Sequence, residues 1–354
     1  MAEGKYCKIG GLIKTITAEY TKIDGVIKEG TTNVIKVGGA IKEIPVAAKM
    51  IFACERESGR FYAINSEHDV ITGWPVYSGE IRYPEDVACD ADNYSYWGCA
   101  ADYYYVRKLG PDGTIIWTYT GHTSPIHAIC VDADGSVYSG DSAGTVKKID
   151  SDGNLVWSKQ PFSGDVYALA VDYSAGKLYA VLDTGLGQRM FYWWHTSTGG
   201  GVATYLSPTA GDQLYSIAID DTPYLYVGDA AGRLSKIGLD GYTYWNVGKD
   251  GEIHVVCVGH DGYGYFVNGT KGGVGKFVLS TGANVWYHES GGEARDVAVD
   301  KAGRVYSTHG CSGSVNAVIR KWSSAGVEQW TWRPYEDSEW MGVAVSPGIK
   351  AAGF

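Results

Sequence analysis

Apolar and polar positions alternate through residues 126–158 in four short runs: Ile126-His127-Ala128-Ile129-Cys130-Val131, Ser136-Val137-Tyr138-Ser139-Gly140, Thr145-Val146-Lys147-Lys148-Ile149 and Leu155-Val156-Trp157. A period of two predicts strands, and the Asp-, Gly- and Ser-rich tetrads between the runs predict tight turns that tolerate left-handed backbone. The same four-run pattern fills most of the chain, and few windows place apolar residues three and four apart. The chain therefore reads as all-β.

The pattern is a repeat. The end of the first run recurs at Asp90, Asp132, Asp172, Asp220, Gly259, Asp300 and Ser346, 39 to 48 residues apart. A four-stranded unit of that length is a propeller blade. The fourth strand carries an aromatic at a matching place in every unit: Trp74, Trp117, Trp157, Tyr205, Trp245, Trp286 and Trp330. Such a side chain can cover the outer end of one blade and pack it on the next. The first repeat, with expected strands over 50–54, 60–65 and 70–74, lacks a first strand, whereas 341–346 is a first strand without followers. Joining them closes a ring and leaves no open end. The prediction is a seven-bladed β-propeller over residues 46–354, closed by N- and C-terminal strands and preceded by a short β-hairpin repeat array over residues 1–45.

Within the blades, Gly135-x-Val137-Tyr138-x-Gly140, Gly144-x-Val146, Ile149-Asp150-x-Asp152-Gly153 and Trp157 resemble the repeat of quinoprotein-like propellers. The likeness returns in six of the seven blades. Enzymes of that family bind pyrroloquinoline quinone with calcium in an eight-bladed ring, often beside an adjacent cysteine pair. This chain has no adjacent cysteines and a count of seven, so the resemblance implies the architecture, and no cofactor is carried over.

A second repeat occupies residues 6–44. Ile9, Ile23 and Val37 are 14 residues apart, as are Gly11, Gly25 and Gly39, and Ile13, Ile27 and Ile41. Each unit places Gly-Gly or Asp-Gly between alternating segments, a strong hairpin signal. Isolated two-stranded hairpins are marginal, so these apolar positions (Ile9, Ile13, Ile23, Ile27, Val37, Ile41) are expected to serve assembly. Tandem units of this kind resemble the short β-repeats near the termini of tailed-bacteriophage virion proteins, which implies an anchor to a particle.

Charge changes the list of partners. The formal net charge is −10, and no Lys/Arg run exceeds two residues, which argues against nucleic acid; a neutral or cationic ligand fits better. No run approaches a membrane span and no apolar leader is visible, predicting a soluble chain without membrane insertion. Seven scattered cysteines with no Cys-x-x-Cys predict thiols in a reducing compartment and no zinc site.

Counting five residues back from each repeat marker gives Glu85, His127, Tyr167, Tyr215, His254, Arg295 and Met341. They differ from blade to blade, unlike the small residues near them (Ala88, Cys130, Ala170, Ala218, Cys257, Ala298, Ala344). Variation at one mouth position is what a binding site in the central channel would show, although lining a solvated channel requires only polar side chains. No carboxylate follows His127 or His254 at a ligand spacing, and they read as channel histidines, so no metal is expected. Asp-rich turns such as 132–135 have the look of calcium loops, but turn formation explains them. Surface stacking candidates are Tyr103, Tyr104, Trp193 and Trp194, with blade packing as the alternative. Acids such as Glu85, Asp86, Glu252, Glu293 and Asp296 lie near the mouth, yet the sequence marks neither a converging pair nor a nucleophile elbow.

The expected function is non-enzymatic, with no catalytic residue and no cofactor: a bacteriophage virion protein, made in the bacterial cytoplasm and multicopy or homo-oligomeric in its particle. Its hairpins would dock to other virion proteins, and its propeller would meet a host glycan, a host surface protein or a neighbouring subunit. The alternatives are an intracellular bacterial propeller scaffold for protein partners and a glycan-active enzyme.

Overall fold

The computed structural model describes residues 49–349 except 78–82, 101–103, 162, 183–189, 206–212, 223, 260, 270, 290, 311–316, 334–338 and 347, together with four backbone strands within residues 5–44. The chain divides into two compact units, Met1–Ala48 and Lys49–Phe354. In the first, Lys5–Ile9 pairs antiparallel with Leu12–Ile16, and Asn33–Val37 with Ala40–Ile44. Ile9 opposes Leu12 and Val37 opposes Ala40, so each connection is a Gly-Gly pair, as the period of 14 predicts. Ile9, Ile13, Val37 and Ile41 lie in these strands; Ile23 and Ile27 lie outside the described residues.

The second unit is a seven-bladed β-propeller. Seven antiparallel sheets follow one another along the chain, and among the described residues there is no helix. Blade 3 is typical: Ile126–Val131, Val137–Asp141, Val146–Ile149 and Leu155–Lys159 pair in sequence order. Blade 1 is built from both ends of the unit, with Trp340–Ser346 paired against Met50–Glu55 from Ser346↔Met50 to Trp340↔Glu55. The fourth strand expected over 70–74 is displaced. Val70 makes one bridge to Ile64, and the outer strand is Val76–Tyr77, paired with Arg60–Phe61. Gly73, at φ +95°, turns the chain there, and Pro75 has no N–H to give a ladder.

The core lies between blades. One cluster joins Cys130, Tyr138, Val146 and Trp157 of blade 3 to Leu169, Val171, Leu178, Ala180 and Trp194 of blade 4. First strands converge, so their inward packing positions admit only small residues: Ala88, Cys130, Ala170, Ala218, Cys257, Ala298 and Ala344 are all buried. At the wide end the tryptophans act as latches. The indole N–H donates to a backbone carbonyl of the next blade in six blades: Trp74 to Pro111, Trp117 to Ser151, Trp157 to Thr196, Trp245 to Leu279, Trp286 to Ser324 and Trp330 to Ser66, at 2.9–3.2 Å. The last of these joins blade 7 to blade 1. Beneath two of these rings the turn must be bare: a Cβ on Gly153 (φ +92°) would stand 2.9 Å from Trp117, and one on Gly326 (φ +83°) 2.8 Å from Trp286.

The repeat-marker aspartates are structural. Asp90, Asp132 and Asp220 accept the hydroxyls of Tyr96, Tyr138 and Tyr226 at 2.8–2.9 Å, while their other oxygens serve the turn; Asp132, for example, accepts the Ala133 N–H at 2.8 Å. Among the described residues, no three His, Cys, Asp or Glu side chains are grouped to hold a metal ion.

Candidate functional site at the mouth of the central channel

Each first strand carries a β-bulge near its start. In blade 3, Ile126 pairs with Asp141 and Ala128 with Gly140, so His127 has no opposite number. The same skip leaves out Glu85, Tyr167, Tyr215, His254 and Arg295 in blades 2 and 4–7, and Met341 with Gly342 in blade 1. A bulge breaks the alternation of faces and re-aims one side chain. These are the seven residues read from the sequence as mouth positions. All seven are half-buried and line one cavity of about 410 Å³.

The lining falls into two arcs. Tyr167 and Tyr215 meet edge-to-face with centroids 5.5 Å apart, and Tyr215 meets His254 at 5.6 Å and 87°. The opposite arc is an ion-pair chain: Arg56 lies 3.3 Å from both Glu85 and Glu339, and Arg295 lies 2.6 Å from Glu339 and 2.9 Å from Glu293. Burial raises Glu85 above the usual carboxylate range, with Arg56 the largest opposing influence. The histidines also have carboxylates near: Glu252 lies 3.2 Å from His254 and Asp165 3.9 Å from His127.

Two lining carboxylates are turned inward to the scaffold. Asp86 accepts the Val87 N–H and, across to blade 3, the Ile129 N–H at 2.8 Å. Asp296 accepts the Val297 N–H and, across to blade 1, the Val343 N–H at 2.8 Å. They tie adjacent first strands together directly under the bulges.

Sequence reasoning missed Arg56, Glu339 and Asp165 and did not pair Glu252 or Glu293 with the residues they serve. A signal was present: the position two residues before the bulge is Asp165, Glu252, Glu293 and Glu339 in four blades, which makes an acidic collar. Arg56 comes from the turn after Met50–Glu55 and belongs to no repeat position.

The surface aromatic candidates are not brought together here. Trp194 is buried in the packing between blades 3 and 4 at 1 % exposure, so its surface role is corrected: alternation along Met190–His195 turns it inward. Trp193 is half-buried, with the Lys177 ammonium 4.3 Å from its ring centroid. Tyr104 packs half-buried on the core, and Tyr103 lies outside the described residues.

A Ser-His-Asp constellation does occur elsewhere. His122 Nδ1 is 2.8 Å from Asp141 Oδ2, and its Nε2 is 2.8 Å from Ser139 Oγ. Ser139 and Asp141 are fully buried and His122 nearly so, so no substrate reaches the hydroxyl. Burial depresses the His122 pKa, with Asp141 opposing. The network pins the loop before Ile126–Val131 to blade 3 and thereby helps set His127.

No protein-family model matches the chain, and no curated protein matches it. Solved structures do. The β-propeller domain of Myceliophteria thermophila Cps50 (Swd1) superposes with a TM-score of 0.61 at 14% identity, over 72% of this chain and 87% of that one. A chain of the mitotic checkpoint complex superposes with a TM-score of 0.62 at 15% identity, over 76% and 84%. The likeness is one of fold. It extends to 1504 solved chains, so the fold alone selects no activity.

Proposed function

We propose that the chain is a non-enzymatic binding module that holds a protein partner at the mouth of its channel. The observation that carries this reading is the contrast within one repeat: buried positions recur from blade to blade, while the bulge that aims a side chain into the cavity bears a different chemistry in most blades. A rigid ring that presents variable side chains from fixed backbone is a recognition surface. The Ser-His-Asp set is sealed, and of the mouth carboxylates Glu85, Glu293 and Glu339 are engaged with guanidiniums and Asp86 and Asp296 with backbone N–H groups, an arrangement suited to binding. One of the similar solved chains was seen in a multiprotein complex, the mitotic checkpoint complex, which agrees with a scaffold.

The test is retention of the native partner by the tagged full chain. Tyr167→Ser with Tyr215→Ser should release it, and Ile116→Ser, on an exposed outer strand, should not. Release by the rim change, or retention by the mouth variant, would overturn the reading.

A second reading is favoured by the 14-residue repeats alone. Their likeness to phage virion repeats suggests that residues 1–45 fix the propeller to a particle, where it would meet a host glycan or surface protein. Particles assembled with a chain lacking those residues should then be missing the propeller; normal incorporation would exclude the anchor.

A further inference from the structure

The mouth has a sign. Five carboxylates (Glu85, Glu252, Glu293, Glu339 and Asp165) stand against two guanidiniums, and both guanidiniums are shared between carboxylates. Asp86 and Asp296 add two further acids whose oxygens accept backbone N–H groups. The surplus is not spread evenly. Two members of the acidic collar flank the aromatic arc, Asp165 on the Tyr167 side and Glu252 on the His254 side.

Negative potential beside tyrosine faces is the chemistry that recognises organic cations, because the ring quadrupole and the carboxylates attract the same charge. A bare metal ion would need several oxygen or nitrogen ligands converging on one point, and among the described residues no such group exists. A cavity of about 410 Å³ takes a side chain or a small molecule and excludes a folded domain. The chain already uses this contact within its blades, where Lys236 lies 3.9 Å from the Tyr224 ring centroid and Lys276 lies 4.0 Å from that of Tyr263. Glu85, held above the usual carboxylate range by its burial, would ionise more readily with a cation beside it.

We propose that the mouth takes the cationic side chain of a lysine or arginine, displayed on an extended segment of the partner, against Tyr167 and Tyr215, beside the collar acids Asp165 and Glu252 and the bulge acid Glu85. This deepens the reading of the chain as a protein-binding module and rests on it. The shared chemistry is an alkylammonium or guanidinium group, which a free polyamine also carries.

The experiment is ligand-observed NMR titration of the full chain with short glycine peptides bearing a central lysine, arginine, norleucine or glutamate, and separately with spermidine. The lysine and arginine peptides should bind about tenfold more tightly than the norleucine peptide, the glutamate peptide should not bind, and added salt should weaken the cationic peptides. Tyr215→Ala should lose about tenfold and Tyr215→Phe, which keeps the ring, should restore most of it. That conservative variant separates a lost π-face from a disturbed fold. Equal binding of lysine and norleucine peptides, preference for glutamate, or no binding of either cationic peptide would overturn the proposal. Spermidine binding more tightly than both cationic peptides would assign the site to a free polyamine and overturn it as well. Partner retention by the tagged chain, with release by the Tyr167/Tyr215 variant, is scored independently; if it holds while the peptides fail, the binding module stands and the cation selectivity falls.

Discussion

Replacing Asp296 with alanine tests whether the mouth is held by ties between first strands. Asp296 is 6 % exposed and accepts two backbone N–H groups, its own neighbour Val297 at 2.7 Å and Val343 of blade 1 at 2.8 Å. The second bond crosses from blade 7 to the blade that closes the ring. A hydrogen bond to a charged acceptor contributes about 1.5–3 kcal/mol, and a buried N–H left without its acceptor costs a similar amount. Since the Val297 bond is local, the variant should lose about 2–3 kcal/mol in all. In urea denaturation the midpoint should fall with no change of slope, and at ~2 °C per kcal/mol for a domain of this size the melting temperature should drop by about 5 °C. Asp296→Asn keeps an acceptor and should lose roughly half as much. Asp86→Ala, which removes the equivalent tie to Ile129, should match Asp296→Ala. Stability within about 0.5 kcal/mol of the parent for Asp296→Ala, the scale of an ordinary surface change, would refute the argument.

The remaining predictions concern the ring, one buried histidine and the hairpins. Trp330→Phe removes the indole bond to Ser66, but Lys321 also donates to that carbonyl at 2.9 Å, so thermal denaturation should show a loss of only about 1 kcal/mol; no loss would deny the latch. His309 is fully buried, and burial depresses its pKa to about 3. Its contribution to stability is therefore complete above pH 6.5 and is lost as pH falls from there towards about 3, by about 1.4 kcal/mol per unit. The His309 ring resonances should accordingly stay unprotonated down to about pH 4, and titration near pH 6.5 would contradict this. Removal of residues 1–45 should leave cooperative unfolding intact, because closure pairs Trp340–Ser346 with Met50–Glu55; aggregation or a broad transition would show that the ring depends on the hairpins.

What the sequence disclosed was what each blade repeats. The marker aspartates, the fourth-strand tryptophans and the small first-strand residues recur because neighbouring blades meet in the same way at each, and seven recurrences with split ends imply closure. The mouth positions were found by counting back from the markers, although nothing in the alternation shows that they are bulged; that follows only from the skipped pairings. The outer strand of blade 1 was misplaced because Trp74 matches the repeat while Gly73 and Pro75 interrupt it. Trp194 was read as surface because four aromatics in succession conceal which of them face inward. Glu339 shares the acidic position two residues before the bulge with Asp165, Glu252 and Glu293, but Arg56 comes from a turn outside the repeat pattern, and their bridge becomes evident only when blades 1, 2 and 7 are brought together around the channel.

The most direct test of the central claim is site-specific photo-crosslinking in the native setting, with a benzophenone side chain placed at Tyr215 in the mouth or at Ile116 on the outer strand. The account predicts a discrete protein adduct from position 215, competed by the lysine peptide, and none from position 116. An adduct from the rim with a silent mouth would contradict it.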